Sequence, residues 1–193
     1  MSLSSEEAAS IKVINNFVEL AQLPALLGEV TAWNYGPYAG LQGDTRPSWN
    51  VHLCGSRNPR EKATHDEVLS ASPVLEQVND LWKLIKDDLA PGYGLVRVWA
   101  SGHTYGLEGT PHRYSKPSDQ ELIAQVHLNS EWQDAWAGET VFYDPARECI
   151  SVRPRPGRLV LFDGSIVRVS RAPSQDCPTL CATLSFHMRR TIR

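Results

Sequence analysis

The spacing of apolar residues changes near residue 94, from a helical pattern to a strand pattern. The clearest helical stretch carries apolar residues at intervals of three and four, namely Val74, Leu75, Val78, Leu81, Trp82, Ile85 and Leu89. This spacing places them on one face of a helix, which would pack against a sheet. Ser72 is a good N-cap, Pro73 is a good first helical residue, and Pro91 and Gly92 end the pattern. We therefore predict a helix that starts at Pro73.

Two shorter elements and one irregular segment precede this helix. The β-branched run at residues 11–14 predicts a strand, and residues 17–28 predict a helix that Pro24 breaks or kinks and Gly28 ends. Residues 33–59 show no period, which predicts irregular surface structure with one strand at residues 49–53.

Short apolar runs separated by Gly, Pro or Asp follow residue 94. They predict strands at residues 95–100, 122–129, 140–144, 149–154, 158–163, 166–170 and 180–189. Helices that are followed by closely spaced strands are typical of an α+β fold. The even spacing of the strands favours two sheets closed into a jelly roll or cupin-like barrel.

Composition and charge narrow the class of protein. The length of 193 residues suits a single domain spanning residues 1–193, and 41% hydrophobic with 21% charged residues is an ordinary globular balance. A net charge of −3 without a basic stripe argues against a nucleic-acid partner. The apolar runs are too short to span a membrane, and the polar N-terminus lacks the pattern of a signal peptide. Four scattered cysteines fit reduced thiols, so we expect a cytoplasmic protein.

Three motifs occur in order along the second half of the chain. They are YGxxGxxH at 105–112, LNxxW with WxGETxF at 128–142, and RPGRLVLFDG at 155–164. Together they resemble the Fe(II)/2-oxoglutarate-dependent oxygenases, in the prolyl-hydroxylase-like branch, over residues 32–193. The resemblance implies a double-stranded β-helix with an N-terminal helical layer, in agreement with the pattern of strands.

The resemblance also implies where the family's functional residues should stand. A His-x-Asp pair and a distal His would bind iron, and a basic residue on the last long strand would bind 2-oxoglutarate. Here these four positions hold His112, Tyr114, Arg168 and Cys181. A phenol titrates near about 10 and is a poor ligand at neutral pH, and a guanidinium has no lone pair for a metal. We therefore expect a divergent relative without a metal site, in which neither iron nor 2-oxoglutarate is a cofactor.

Strand alternation supplies the candidate walls of the pocket. It places Cys181, Thr183, Ser185 and His187 on one face of the last strand, and Gln125, His127 and Asn129 on one face of another. If these faces line the barrel, the substrate-binding residues are Gln125, His127, Asn129, Arg168, Cys181 and Thr183.

The altered centre of the pocket favours non-oxidative chemistry. His112 as a base, Tyr114 as a phenolic acid and Arg168 as an anion clamp suit isomerisation, cyclisation or elimination of a small anionic metabolite. The resemblance suggests bacterial specialised metabolism as the context, and a homodimer or a complex with a partner enzyme is compatible with it.

Two alternatives remain open from the sequence. One is a non-catalytic protein that binds a small molecule or stabilises a partner. The other is a true oxygenase whose metal ligands have been rebuilt from His112 and His127 with Tyr114 or His187.

Overall fold

Two facing β-sheets and a layer of helices make up the fold. The computed structural model describes residues 11–37, 46–58, 61, 63–143 and 149–191, so the polar N-terminus and part of the segment at 33–59 lie outside the described residues. The α-helices are α1 (Leu23–Glu29), α2 (Asp66–Ser70) and α3 (Glu76–Asp88). The strands are β1 (Ile11–Ile14), β2 (Asn34–Gly36), β3 (Ser48–Gly55), β4 (Tyr93–His103), β5 (Glu121–His127), β6 (Thr140–Tyr143), β7 (Ile150–Val152), β8 (Leu159–Asp163), β9 (Val167–Ser170) and β10 (Cys181–Arg190).

The strand order is that of a jelly roll. The large sheet has the order β1-β8-β5-β10-β4-β3-β2 and the small sheet β7-β6-β9. From β5 onward the chain crosses between the two sheets at every step except from β6 to β7, which are neighbours in the small sheet. The predicted α+β class and double-stranded β-helix are confirmed, and each predicted strand is found within a few residues of its expected bounds.

The helices cover the outer face of the large sheet. The apolar face of α3 is buried, and Trp82 from this helix stacks on Phe186 of β10 with 6.1 Å between ring centroids. The inner face of the large sheet packs on the small sheet, where the rings of Phe162 and Phe142 lie 4.9 Å apart. The fold thus has one apolar core under the helices and a second between the sheets.

Helix α3 begins later than the sequence predicts. It starts at Glu76 instead of Pro73, and the Ser72 side chain does not cap it. The cap comes from α1, where the Glu29 carboxylate accepts hydrogen bonds from the backbone nitrogens of Gln77 (2.7 Å) and Val78 (2.9 Å). A carboxylate at a helix N-terminus satisfies amides that have no partner within the helix. This cap lies 48 residues away in sequence, so local pattern could not reveal it.

Two other predictions need correction. Pro24 lies in the first turn of α1 and does not break it, because the first turn of a helix requires no amide hydrogen. Residues 33–59, predicted to be mostly irregular, supply the two strands β2 and β3 at one edge of the large sheet. Within the described ranges, no helix is long and apolar enough to cross a membrane.

Candidate functional site

The inner face of the large sheet carries an unusual number of buried polar side chains. Across the register, Thr183 of β10 lies opposite His127 of β5, and Ser185 lies opposite Gln125. Partners in an antiparallel pair point to the same face, so these four side chains form one wall of the space between the sheets. All four are buried. The predicted pocket residues Gln125, His127 and Thr183 therefore share a wall.

Several polar atoms of this wall lack a partner in the part of the chain that the structure describes. Gln125 donates to the Thr183 hydroxyl at 3.1 Å, which leaves the Gln125 carbonyl oxygen without a partner there. Neither ring nitrogen of His127 has one, although the residue is only 2% exposed. Burial, aided by the charge of Arg158, lowers the pKa of His127 to about 4. The ring is thus neutral at pH 7, with one donor and one acceptor directed at no described residue.

The opposite wall is built by the segment that begins at His112. His112 and Arg168 exchange two backbone hydrogen bonds of 2.9 Å, and the backbone nitrogens of Tyr114 and Ser115 both donate to the Gly164 carbonyl. These bonds attach the segment to β9 of the small sheet. Side chains of His112, Tyr114 and Arg168 consequently meet, as the sequence predicts.

Arg168 and Tyr114 form the centre of the site. A terminal nitrogen of Arg168 donates a short hydrogen bond to the Tyr114 hydroxyl, and the other donates to the Ser170 hydroxyl at 2.7 Å. The guanidinium carbon also lies 5.1 Å from the centroid of the Tyr114 ring. These contacts hold the cation in one position.

The charge of Arg168 has no carboxylate partner among the described residues. The residue is 3% exposed, and its Nε has no hydrogen-bond acceptor in the described ranges. A buried charge that is not neutralised costs several kcal/mol even after the surrounding protein relaxes. The geometry therefore favours an anion beside this guanidinium.

His112 stands at the edge of Tyr114, with 5.2 Å between the ring centroids. Its Nδ1 lies 2.8 Å from the carbonyl oxygen of Thr110, and a carbonyl only accepts, so Nδ1 carries the hydrogen. In the neutral ring the lone pair is then on Nε2.

Tyr114 connects the two walls. Its ring lies 5.5 Å from Trp99 of β4, 6.1 Å from Phe162 of β8 and 6.2 Å from His187 of β10. The phenol on one wall therefore reaches the inner face of the large sheet, and the three predicted catalytic residues adjoin the polar wall.

Among the residues that the sequence indicated as substrate-binding, Asn129 has other surroundings, and Cys181 has a thiol of low reactivity. Asn129 lies beyond the end of β5, where its amide donates to the Leu180 carbonyl (2.8 Å) and accepts from the Ala182 nitrogen (2.9 Å). Both polar groups of Asn129 join β5 to β10, so the structure gives it a scaffold contact in place of the predicted pocket position. Cys181 is on β10, and burial raises the pKa of its thiol to about 12, which keeps it protonated.

Two buried charged residues on the inner face, Arg97 and Glu121, were not among the candidates from the sequence. Glu121 of β5 lies 2.6 Å from Nε2 of His187 and forms an ion pair with Arg189. Burial raises the pKa of Glu121, but His187 and Arg189 outweigh it and the net shift is downward. Alternation backward from Gln125 places Glu121 on the same face, and this was the signal available. His187 itself was considered only as a substitute metal ligand.

Comparison with solved structures shows which proteins have a similar fold. No family model matches the sequence, and no curated protein matches it. Solved structures do match. A prolyl-4-hydroxylase from Pseudomonas putida superposes with a TM-score of 0.61 at 17% identity, covering 95% of this chain and 94% of that one. HygX from Streptomyces hygroscopicus gives 0.63 at 11% identity, covering 96% and 84%. The epimerase SnoN from nogalamycin biosynthesis gives 0.63 at 11% identity, covering 94% and 78%.

These similarities confirm the resemblance at the level of fold. The chain has the architecture of the prolyl hydroxylases and related 2-oxoglutarate/Fe(II) oxygenases. They also overturn the expectation that iron and 2-oxoglutarate have no place in this protein. The structure of HygX holds nickel and 2-oxoglutarate, and SnoN is described as dependent on α-ketoglutarate. The expectation was wrong because it rested only on the four replaced or retained positions of the family's site, His112, Tyr114, Arg168 and Cys181.

The described residues fit the two cofactors unequally. They contain no group of three His, Cys, Asp or Glu side chains arranged for a metal ion. His112, Tyr114 and Arg168 supply one imidazole, one phenol and one cation, a set that does not fit a divalent ion. A metal site rebuilt with His187 is hindered because Nε2 of His187 already contacts the Glu121 carboxylate. Arg168 and the donor nitrogen of His127, by contrast, suit a carboxylate such as those of 2-oxoglutarate, whereas the Gln125 carbonyl oxygen, which has no partner among the described residues, suits a hydrogen-bond donor.

Proposed function

We propose that this protein binds a small carboxylate-bearing metabolite between Arg168 and the polar inner wall, and that it moves a proton on that metabolite without net oxidation. The observation that supports this most is the buried guanidinium of Arg168, which has no carboxylate partner among the described residues and is held in place by Tyr114 and Ser170. A ligand carboxylate, or an oxyanion formed during reaction, would neutralise this charge.

Each of the three central residues has a role in such a reaction. Arg168 stabilises negative charge on oxygen as it develops. Tyr114, whose hydroxyl accepts from Arg168, donates its own hydrogen to the same oxygen. His112, with its Nδ1 hydrogen on Thr110, accepts a proton at Nε2. This set supports isomerisation, elimination or cyclisation of an enolisable carbonyl compound.

The wall opposite Arg168 would orient the substrate. His127 and Gln125 present polar atoms that have no partner within the described part of the chain. Such atoms are costly when buried, and a hydrogen-bonding ligand removes the cost. SnoN, which has a similar fold, is described as an epimerase that depends on α-ketoglutarate, so proteins of this fold include one that isomerises its substrate. We place the reaction in the specialised metabolism of a bacterial cytoplasm.

Calorimetric titration with small carboxylates tests the binding part of this proposal. The probes are succinate and 2-oxoglutarate, and the variants are Arg168→Met and, as a matched control, Arg171→Met. Arg171 is an exposed arginine paired with Glu108 at 2.6 Å. We expect Arg168→Met to weaken binding by about 10- to 150-fold, the value of a hydrogen bond to a charged group. The control should bind like the wild type. Equal affinity in Arg168→Met, or no binding by the wild type, would contradict the proposal.

Turnover separates an enzyme from a binding protein. Nuclear magnetic resonance of a panel of enolisable 2-oxo acids should show product or exchange with the wild type and at least about a 100-fold loss in Tyr114→Phe and His112→Gln. Binding without turnover would instead identify a ligand-binding protein. Metal analysis of the purified protein, with a succinate assay, would show whether the cofactors of its structural neighbours operate here.

A further inference from the structure

A second histidine adjoins the site from the large sheet. His187 lies on the inner face of β10, opposite Ile123 of β5 and Arg97 of β4, and it is 2% exposed. Its ring centroid is 6.2 Å from that of Tyr114. His112 approaches the same phenol from the other wall. The central phenol therefore has an imidazole near it on each wall.

The hydrogen bond to Glu121 determines which nitrogen of His187 carries the hydrogen. Nε2 lies 2.6 Å from a Glu121 carboxylate oxygen, which accepts, so Nε2 is the donor. The lone pair is then on Nδ1. That atom is buried and has no hydrogen-bond partner in the described part of the chain. Buried imidazoles are normally satisfied at both nitrogens, so this one is free to accept from a bound molecule.

Burial keeps the His187 ring neutral, and the hydrogen bond to Glu121 holds the ring in place. Charged or titratable groups face it from each packed element: Arg97 from β4, Glu121 from β5, Arg189 from β10 and Tyr114 from the opposite wall. Burial lowers the pKa of His187, and the Glu121 carboxylate partly offsets this. Arg189 forms an ion pair with Glu121 and holds the carboxylate in its ionised form. The result is a neutral imidazole whose protonated form has a carboxylate to stabilise it.

We propose that His187 is a catalytic base of this site and that Glu121 is its positioning residue, acting on a carbon next to a carbonyl group. This inference rests on the proposed function and names its substrate class as enolisable 2-oxo acids. His187 Nδ1 takes the proton, the C–H electron pair forms the carbon–carbon double bond of an enolate, and the carbonyl electron pair moves to oxygen. Arg168 and Tyr114 stabilise that oxygen. Return of a proton to either face of the carbon completes an exchange or an isomerisation with no oxidant required.

Hydrogen–deuterium exchange tests the assignment. Pyruvate, 2-oxobutyrate and 2-oxoglutarate are incubated with the enzyme in D₂O, and loss of the C3 proton signal is followed. We expect the wild type to accelerate exchange and His187→Gln to lose at least about 100-fold of that acceleration, as for removal of a general base. Calorimetry should show that His187→Gln still binds the probe. His65→Gln is the matched control, because His65 lies just before α2 in the layer of helices and its imidazole pairs with Glu61.

Glu121→Gln should change the pH dependence of exchange, which would stay the same if Glu121 had only a structural role. The variant amide still accepts from Nε2 but carries no charge, so protonated His187 loses stabilisation and its pKa falls. The acidic limb of the exchange profile should therefore move to lower pH, with a lower maximal rate. Labelled-histidine spectra of the wild type should show hydrogen on Nε2 of His187. This measurement is independent of whether a variant folds.

The outcomes distinguish the two proposals. Wild-type protein that binds none of the probes contradicts the proposed function and this inference together. Binding that depends on Arg168, with no acceleration of exchange by the wild type, overturns the role of His187 and leaves anion binding intact. Wild-type exchange rates in His187→Gln, an unmoved profile in Glu121→Gln, or hydrogen on Nδ1 each overturn it as well.

Discussion

Replacing Arg168 by methionine should have opposite effects on stability and on ligand binding. Methionine keeps much of the length of the side chain and removes its charge. In the ligand-free protein the charge is buried with no carboxylate partner in the described ranges, which costs several kcal/mol. Against this stand hydrogen bonds to Tyr114 and Ser170, worth about 1.5–3 kcal/mol each, and a cation–π contact of about 1–2 kcal/mol.

These opposing contributions nearly cancel, and methionine adds apolar contacts of its own. We expect the free energy of unfolding of Arg168→Met to be equal to that of the wild type or higher by up to about 2 kcal/mol, as when buried ionic groups are replaced by apolar ones. For a domain of this size each kcal/mol moves Tm by about 2–4 °C. Differential scanning calorimetry and urea unfolding measure this change.

A saturating carboxylate should reverse the order of stability. At a concentration of about 100 times Kd, a ligand adds about 2.7 kcal/mol to the unfolding free energy of the wild type, and a variant that has lost binding gains nothing. Arg171→Met should behave like the wild type with and without ligand. A loss of about 3 kcal/mol or more in ligand-free Arg168→Met would refute the reasoning, because this is the cost of breaking a buried ion pair and would show that Arg168 already has an acidic partner.

Four further predictions follow from single contacts. The pKa of His127 lies below its unfolded value, so the free energy of unfolding falls as the pH drops from about 6.5 to about 4. In urea unfolding at several pH values, His127→Gln should lose about 3 kcal/mol less of this free energy than the wild type over the same range. The raised pKa of Cys181 predicts that iodoacetamide at pH 8 labels the exposed Cys149 and leaves Cys181 unlabelled, as read by mass spectrometry. Asn129→Ala should cost about 1–3 kcal/mol in urea unfolding without changing carboxylate affinity, and a change in affinity would restore it to the pocket. Glu29→Ala should cost about 0.5–2 kcal/mol by removing the cap of α3, whereas no change in urea unfolding would mean that the cap is dispensable.

Some features of the site were accessible to sequence reasoning and others were not. The motifs around His112, Tyr114 and Arg168 resemble segments of one fold, so these residues could be predicted to converge. In the structure their side chains do meet. Asn129 does not continue the face of Gln125 and His127, because β5 ends at His127 and alternation does not extend beyond the end of a strand. The cofactor expectation was wrong. The residues at the family's metal-ligand positions lie on one wall, and they do not determine what the facing polar wall can bind.

The amino-acid sequence by itself determined the strands, the apolar face of α3 and the jelly-roll class. These depend on the spacing of apolar residues two to four positions apart, which is a local property of the sequence. Only the tertiary structure decided that Glu29 caps α3 and that Glu121 holds His187. It also showed that the cation of Arg168 is buried with no carboxylate partner in the described ranges. The reason is physical. Burial, hydrogen-bond partners and charge neutralisation are set by residues that are distant in sequence and meet only when the sheets close.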